Sequence, residues 1–247
     1  MTGSASGIGA AVRGQLAADG CQVIGVDQRD AEVIADLATP AGRAAAAAAL
    51  ASACGGRLDG MVCCAGLGPV CPPPLIAAVN YFGAVELLDA MLPALSAGDS
   101  PAAVVIASNS ASLVPLHEPL VSALLAGDAD AAAAAAAAID GATAYAMSKL
   151  ALMRAVRRRA QAWAEAGVRL NAVAPGPVRT PLLQASLDDP VLGPLTEALP
   201  VPLGRHAEPA EIAGVVRFLL GPVSGYVHGS VLFADGGTDA LVRPDAL

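Results

Sequence analysis

The chain has 247 residues, a length that suits one large α/β domain with a substantial buried core. It is 55% hydrophobic but only 3% aromatic, so its core must consist mainly of Ala, Val, Leu and Ile, as in parallel sheets covered by helices. The formal charge of −8 argues against nucleic acid as a partner, because nucleic-acid binding depends on Lys and Arg side chains that neutralise phosphates.

Apolar runs of strand length alternate with helical stretches from one end of the chain to the other. This alternation predicts an α/β fold in which a doubly wound parallel sheet has helices on both faces. No long polar linker interrupts the pattern, which indicates a single domain across residues 1–247. The predicted strands are 21–26, 60–65, 102–107, 168–174 and 230–234, and the predicted helices are 8–18, 42–53, 75–95, 143–165 and 209–220.

Several other classes of protein are not expected. The N-terminus lacks a basic stretch followed by an apolar run, and no run reaches the roughly 20 apolar residues that cross a bilayer. We therefore expect a cytoplasmic protein with no membrane partner. Five cysteines without a CxxC pair, and three histidines without close neighbours at ligand spacing, predict no metal site.

A glycine-rich turn opens the chain and leads straight into an apolar helix. Gly3, Gly7 and Gly9 would let the backbone turn tightly and let a pyrophosphate approach the helix N-terminus, where free N–H groups favour negative charge. Asp27 ends the next predicted strand, 20 residues after Gly7, where a carboxylate would accept hydrogen bonds from an adenosine ribose. This favours NAD over NADP, although Arg29 lies nearby. The alternative is an ordinary solvated aspartate in a turn.

Tyr145 and Lys149 lie early in a predicted helix. Their spacing of four places both side chains on one helix face, one turn apart. A phenol has an ordinary pKa near 10, so a nearby ammonium that favours phenolate would let Tyr145 exchange a proton at neutral pH. The pair indicates proton transfer to or from a substrate oxygen while a nicotinamide exchanges hydride with the carbon. By itself the pattern is also common in helices without any catalytic role.

The order of the motifs resembles the short-chain dehydrogenase/reductase family. The matching motifs are TGxxxGIG at 2–9, YxxxK at 145–149, Ala-Pro-Gly at 174–176 and Asp-Gly-Gly at 235–237, so the resemblance spans most of the chain. It implies a Rossmann-like fold and an NAD-dependent oxidoreductase. The stretches 29–37, 64–69, 80–83 and 226–229 are similar to those of a narrower group within the family, the bacterial 3α-hydroxysteroid dehydrogenases/carbonyl reductases.

The resemblance implies two further catalytic residues. Ser108, which follows a predicted strand, matches the family serine that hydrogen-bonds the substrate oxygen. The alternative for Ser108 is an ordinary strand-end turn, with Ser110 as a rival. Asn80 matches the family asparagine that completes a proton relay through water to the lysine, and its alternative is a helix cap or kink.

The resemblance also implies a set of residues around the cofactor. Backbone beside the adenosine, residues beside the adenine and nicotinamide carboxamide, and the lysine on the nicotinamide ribose all belong to it. Substrate contacts are expected from Ser108 and Tyr145. The expected cofactor-binding residues are Gly3, Ser6, Gly7, Ile8, Gly9, Asp27, Asp36, Leu37, Ala65, Gly66, Tyr145, Lys149, Val178 and Thr180.

The chain departs from the family pattern between the catalytic serine and tyrosine. These residues lie 37 positions apart, roughly two dozen more than the family usually has, and long insertions in compact domains are often functional. We expect the extra segment, 116–140, to favour a homodimer over a tetramer and to shape the substrate cleft. The alternative is a solvated excursion without function. A proline-rich segment at 181–206 is predicted to be a mobile flap over the substrate, or else an ordinary irregular loop.

The second departure lies at the start. Family members have a central strand directly before TGxxxGIG, whereas only Met1 precedes Thr2 here. A strand of about 5 to 6 residues is therefore expected to be missing from the middle of the sheet. We expect a misassigned start or a truncated chain, and poor stability of the chain as written.

These observations predict an NAD(H)-dependent oxidoreductase that interconverts a secondary alcohol and a ketone. Small-molecule steroids or hydrophobic ketones are the expected substrates, and the steroid part depends on the resemblance alone. Two alternatives stay open: a catalytically silent nucleotide-binding or scaffold protein, and an active family member that uses a non-steroid alcohol.

Overall fold

The computed structural model describes residues 1–245 and confirms the predicted α/β fold with a parallel sheet in one domain. The strands are β1 (Val26–Asp27), β2 (Val33–Ile34), β3 (Gly60–Cys63), β4 (Ala102–Ile106), β5 (Arg169–Pro175) and β6 (Val231–Ala234). The helices are α1 (Gly7–Ala18), α2 (Pro40–Ala53), α3 (Pro73–Ala77), α4 (Gly83–Ser96), α5 (Ser110–Leu113), α6 (Glu118–Ala126), α7 (Ala129–Ala137), α8 (Gly141–Glu165), α9 (Pro181–Leu187), α10 (Leu192–Glu197), α11 (Pro209–Leu220) and α12 (Thr238–Val242).

Strand β4 lies at the centre of the main part of the sheet, between β3 and β5, and β6 follows β5 at the edge. All of its side chains are buried, and they alternate between two apolar clusters. Ala103 and Val105 face the cluster that includes residues of α2, α4 and α8, while Val104 and Ile106 face the cluster formed with α1 and α11. Burial on both faces explains why the strand is apolar throughout rather than alternating.

Strands β1 and β2 pair with each other and are joined to β3 through the first two residues of the chain. The Thr2 N–H donates to the Val62 carbonyl at 2.9 Å, and the Val26 N–H donates to the Met1 carbonyl at 2.8 Å. Thr2 forms isolated parallel bridges with Val26 and Cys63, and within residues 1–245 no strand precedes α1.

The predicted strand at 21–26 is largely wrong, because only Val26 of that run belongs to a strand. A strand needs a neighbour for its ladder of hydrogen bonds. Before Val26, the contact with Met1 is a single hydrogen bond, from the Met1 ammonium to the Ile24 carbonyl at 2.6 Å. Strand β2 was not predicted, since two residues are too short to give a periodic pattern.

The predicted helix at 75–95 is interrupted. A π-helical turn, Ala78–Phe82, separates α3 from α4, and such turns are rare and often found at functional sites. By length and mean hydropathy (1.5), the run Pro73–Ser96 could span a membrane, yet 67% of its most apolar window is buried inside the protein. This apolarity is what a core helix requires, and it is weak evidence for a membrane span.

The inserted segment at 116–140 forms the helices α6 and α7. Helix α6 packs on α8, and α7 packs on α3. Leu120, Val121 and Leu124 are fully buried and belong to the main apolar cluster. The alternative of a solvated excursion is therefore wrong, because the segment contributes to the core.

The segment at 181–206 is not an irregular loop, since it contains α9 and α10, which pack together. Thr180 begins α9 as its N-cap, with its hydroxyl oxygen accepting from the Leu183 N–H at 3.2 Å. Pro181 occupies the first helical position, where the missing N–H costs nothing. The prolines of this segment thus start or interrupt short helices rather than prevent them.

Arg169, at the start of β5, fastens the end of α11 to the sheet. Its guanidinium donates to the carbonyls of Leu219, Leu220 and Gly221 at 2.8, 3.2 and 3.1 Å, and to both the carbonyl and the hydroxyl of Ser224. The last carbonyls of a helix have no partners within the helix, so this one side chain satisfies several of them at once.

We predict that Arg169→Met lowers the free energy of unfolding by about 2–3 kcal/mol, because it leaves these carbonyls without a charged donor. Urea unfolding followed by circular dichroism measures the change. Arg57→Met is the matched control, since Arg57 and its partner Asp59 are both mostly exposed, and it should leave stability unchanged. Equal effects of the two substitutions would contradict the assignment.

Candidate active site

A cavity of about 500 Å³ opens at the carboxyl ends of the strands, where ligands bind in open α/β sheets. Its wall combines the glycine-rich turn, the ends of β1, β3, β4 and β5, the start of α8 and the segment of α9 and α10. Most of the residues predicted from the sequence line it. These are Gly3, Ser6, Gly7, Ile8, Asp27, Leu37, Ala65, Gly66, Ser108, Tyr145, Lys149, Val178 and Thr180.

The glycine-rich turn is pressed against the backbone that follows β3. A Cβ atom at Gly3, where φ is +67°, would lie 2.6 Å from the Ala65 nitrogen, and one at Gly9 would lie 1.9 Å from the Gly3 carbonyl oxygen. Thr2 completes the junction, because its hydroxyl oxygen accepts from the N–H groups of Cys64 and Ala65, both at 3.1 Å. Only glycine fits at positions 3 and 9. The first residues of α1, Gly7 and Ile8, line the cavity, so the N-terminus of the helix lies at the cavity wall.

Asp27 holds its carboxylate at the end of β1, on the cavity wall. One oxygen accepts from the Ala5 N–H at 3.0 Å and the other from its own neighbour, the Gln28 N–H, at 2.7 Å. Arg29 is exposed and is not part of the wall. The cavity wall therefore includes the carboxylate of Asp27 but not the guanidinium of Arg29.

Tyr145 and Lys149 lie on the same face of α8, which begins at the N-cap Asp140. The Lys149 ammonium is buried and donates to the Ile106 carbonyl, at the end of β4, at 2.9 Å. It lies over the Tyr145 ring, 5.8 Å from the ring centre. This hydrogen bond fixes the position of α8 relative to β4, and with it the position of Tyr145 relative to Ser108.

Burial dominates the ionisation of this pair. It lowers the pKa of Lys149 to about 8, because the interior disfavours the charged ammonium. It also raises the pKa of Tyr145, against the opposing effect of the Ser108 hydroxyl beside it. The sequence led us to expect a Tyr145 pKa lowered by Lys149, which is wrong for the structure as it stands. Tyr145 is consequently a neutral hydroxyl, a proton donor, at neutral pH.

Ser108 lies directly beyond β4 with its side chain almost buried. Its hydroxyl oxygen accepts from the Ser110 N–H at 3.2 Å and from the Ser110 hydroxyl at 3.0 Å. Both serines line the cavity. Ser110, considered from the sequence only as a rival, is thus a partner of Ser108.

Asn80 lies in the π-helical turn and is fully buried behind the cavity wall. Its amide clamps the Leu67 backbone, accepting from the N–H at 2.7 Å and donating to the carbonyl at 3.1 Å. It also donates to the Ser148 hydroxyl at 3.2 Å. A Cβ at Gly66 would lie 3.3 Å from both the Asn80 Oδ1 and the Lys149 Nζ, so these side chains converge behind that glycine.

Three of the predicted residues do not line the cavity: Gly9, Asn80 and Asp36. Gly9 and Asn80 support the wall from behind. Asp36 is exposed, and its carboxylate accepts from the Ala38 N–H at 3.0 Å, so only its neighbour Leu37 faces the cavity. Position in a motif could not show which way the Asp36 side chain turns.

Sequence reasoning missed an apolar part of the cavity wall. Helices α9 and α10 and the loop after α10 contribute it, and the repeated leucines of this segment were the available sign. Among the described residues, none from 116–140 lines the cavity, and the insertion touches it only through its flanks at Val114 and Ala142, which corrects the expectation that it shapes the cleft. The leucines of the wall are Leu182, Leu183, Leu192, Leu195 and Leu199.

The chain is similar to known proteins over nearly its whole length. A family model described as enoyl-(acyl carrier protein) reductase matches residues 130–239. The chain is 52% identical, over 249 residues, to the 3-alpha-hydroxysteroid dehydrogenase/carbonyl reductase of Comamonas testosteroni, covering 99% of this chain and 97% of that protein. It is also 32% identical over 247 residues to a coniferyl-alcohol dehydrogenase of a Pseudomonas species, covering 96% and 94% of the two chains.

A solved structure agrees with these relatives. The crystal structure of the 3-alpha-hydroxysteroid dehydrogenase from Pseudomonas sp. B-0831, a complex with NADH, superposes with a TM-score of 0.98 at 51% identity, covering 100% of this chain and 98% of that one. Fold, motif order and near full-length identity agree. The chain belongs to the short-chain dehydrogenase/reductase family, and it is an oxidoreductase.

Proposed function

We propose that this chain interconverts secondary alcohols and ketones with NAD(H), and that 3α-hydroxysteroids with the corresponding 3-oxosteroids, or hydrophobic ketones, are its substrates. The observation that carries the proposal is the meeting of Ser108, Tyr145 and Lys149 in one cavity with the glycine-rich turn. A hydroxyl donor, a phenol and a buried ammonium around one space form a site for a carbonyl oxygen.

The residues present fit NAD(H). The turn at Gly3 and Gly9 has no room for side chains, and α1 points its free N–H groups to the position that a pyrophosphate would take. Asp27 would hold the adenosine ribose and would repel a 2′-phosphate, which favours NAD over NADP. Lys149 would hold the nicotinamide ribose, and Val178 with Thr180 would meet the carboxamide. When bound, the cofactor supplies or accepts the hydride.

The side chains of the cavity divide the handling of the substrate oxygen. Ser108 donates a hydrogen bond to it and holds it in place. In reduction, the Tyr145 hydroxyl gives its proton to the developing alkoxide, and in oxidation the phenolate takes the alcohol proton. Lys149 stabilises the phenolate that forms, since its ammonium lies 5.8 Å from the ring centre in a buried setting.

The apolar wall supports a hydrophobic substrate. Leucines of α9 and α10 line the same cavity as Ser108, so an extended apolar body would be buried against them while its oxygen meets the polar residues. The steroid assignment is further supported by the two relatives at 52% and 51% identity. A non-steroid alcohol would use the same catalytic residues.

We also propose a homodimer that works in the cytoplasm. Helix α6 covers part of α8, the helix that many family members use in tetramers. A second face stays apolar and exposed: Phe218 on α11, Val223 and Tyr226 in the turn after it, and Leu232 on the edge strand β6. Exposed apolar groups of this kind mark association surfaces.

Replacing the phenol tests the proposed activity. We predict that Tyr145→Phe lowers kcat/KM for ketone reduction by about 100- to 10,000-fold, because the proton donor is lost, while NADH affinity changes little. NADH oxidation with a panel of 3-oxosteroids and smaller hydrophobic ketones measures it. Tyr226→Phe is the control, since Tyr226 is fully exposed and does not line the cavity. A parent protein that binds NADH but reduces none of the ketones would favour the silent scaffold.

The rate of ketone reduction should depend on the charge of Lys149. Lys149 has a pKa of about 8 and the pKa of Tyr145 is raised, so below pH 8 the ammonium is charged and the phenol protonated. We expect kcat/KM for reduction to be flat below about pH 8 and to fall above it, as Lys149 loses its charge. Residual activity of Lys149→Arg should lack this fall, because guanidinium stays charged. A rate that rises through pH 8 would contradict the assignment.

The mass of the protein in solution tests the proposed homodimer. Size-exclusion chromatography with light scattering should give the mass of two chains of 24.2 kDa each. Tyr226→Glu should shift the mass toward one chain, because a charge would be buried in an apolar contact. A tetramer would refute the proposal.

A further inference from the structure

The Ser110 side chain has no part in the proposed reaction, although it lies on the cavity wall. It is the first residue of the short helix α5, two positions after Ser108. The family resemblance gives no role to this position. Its hydroxyl lies 3.0 Å from the Ser108 hydroxyl.

Ser110 supplies both of the hydrogen bonds that the Ser108 hydroxyl oxygen can accept. A serine hydroxyl has one proton to donate and two lone pairs that accept. The Ser108 oxygen accepts the Ser110 backbone N–H at 3.2 Å, a donor whose direction is fixed by the chain, and the Ser110 hydroxyl at 3.0 Å. With both lone pairs engaged, the Ser108 proton is left to point into the cavity.

The direction of the hydroxyl–hydroxyl bond follows from the surroundings. Within residues 1–245, the Ser108 oxygen is the acceptor found for the Ser110 proton. The Ser108 proton, by contrast, has Tyr145 beside it and a substrate oxygen to meet. If Ser108 donated to Ser110 instead, the Ser110 proton would have no protein acceptor within residues 1–245 and would depend on water in the cavity, while the Ser108 proton would be lost to the substrate oxygen.

The turn that carries Ser110 does not depend on the Ser110 side chain. The Asn109 N–H donates to the Pro175 carbonyl at 2.9 Å, and the Ser112 hydroxyl donates to the Asp239 carboxylate of α12 at 2.6 Å. Asp239 in turn donates its backbone N–H to Asp235 at 2.7 Å. Removing the Ser110 hydroxyl therefore leaves the backbone held in place.

We propose that Ser110 is a positioning residue that sets Ser108 as a hydrogen-bond donor, in a one-way chain from the Ser110 hydroxyl to Ser108 and on to the substrate oxygen. The inference rests on the proposed function. Because Ser108 cannot then accept from Tyr145, both hydroxyls direct their protons at the same oxygen. The donor state of Ser108 exists before substrate arrives, so no hydroxyl has to turn during the reaction.

The test is Ser110→Ala, measured with the full chain, NADH and a ketone that the parent reduces. We expect kcat to fall about threefold to tenfold, the range of one neutral hydrogen bond, while KM for NADH stays within about twofold. Ser110→Thr keeps the hydroxyl and should restore kcat to within about twofold of the parent. Ser112→Ala, in the same turn but without contact to Ser108, should lower the melting temperature with a smaller effect on kcat.

A double-mutant cycle separates positioning from direct action. In a Ser108→Ala background, Ser110→Ala should cost no further activity, because its effect passes through Ser108. An equal cost in both backgrounds would show that Ser110 acts on the substrate itself, and would overturn the inference. An unchanged kcat for Ser110→Ala would overturn it while leaving the proposed function intact. A parent protein that reduces none of the ketones would overturn both.

Discussion

The hydrogen bond from the buried Lys149 ammonium to the Ile106 carbonyl is the contact on which the site depends. A charged group inside an apolar core is costly unless it is hydrogen-bonded, so this bond strongly constrains how α8 packs on β4. Tyr145 lies one turn before Lys149 on that helix, and Ser108 follows Ile106 by two residues. A single bond between a helix and a strand end thereby sets the relation between the phenol and the serine.

Asn80 plays the corresponding part on the other side of the cavity. A π-helical turn shifts the register of the helix locally, and it brings the Asn80 amide into contact with the Leu67 backbone. The clamped backbone carries Gly66, which approaches Lys149 closely. The lysine is thus enclosed by three separate segments, β4, α8 and the chain after β3.

Much of this arrangement could be predicted from the sequence, and the reasons differ by element. Strand β4 and helix α8 were predictable because burial leaves a continuous apolar run in the strand and an apolar stripe in the helix, and because the helix is long. The strand predicted at 21–26 failed because strand formation depends on a neighbour, which is a property of the assembled sheet. The exposed side chain of Asp36 and the raised pKa of Tyr145 depend on three-dimensional surroundings that spacing does not report.

The partnership of Ser108 and Ser110 illustrates the same limit. Both residues were visible in the sequence, yet only the tight turn into α5 shows that one accepts two hydrogen bonds from the other. Helices α9 and α10 are a second case in which the sequence pattern alone did not reveal the structure. The prolines of this segment predicted a mobile flap or else an irregular loop, and the irregular loop is wrong, because capping by Thr180 and the favourable first-turn position of Pro181 start the short helix α9.

The apolar wall has a consequence for the thermodynamics of binding. Leu195 lines the cavity although it is 63% exposed, so α10 presents apolar surface to water in the free protein. An apolar molecule that covers this surface removes it from water together with its own, which gives a negative change in heat capacity. The enthalpy of substrate binding should therefore become more favourable on warming, and α10 is the element from which that temperature dependence arises.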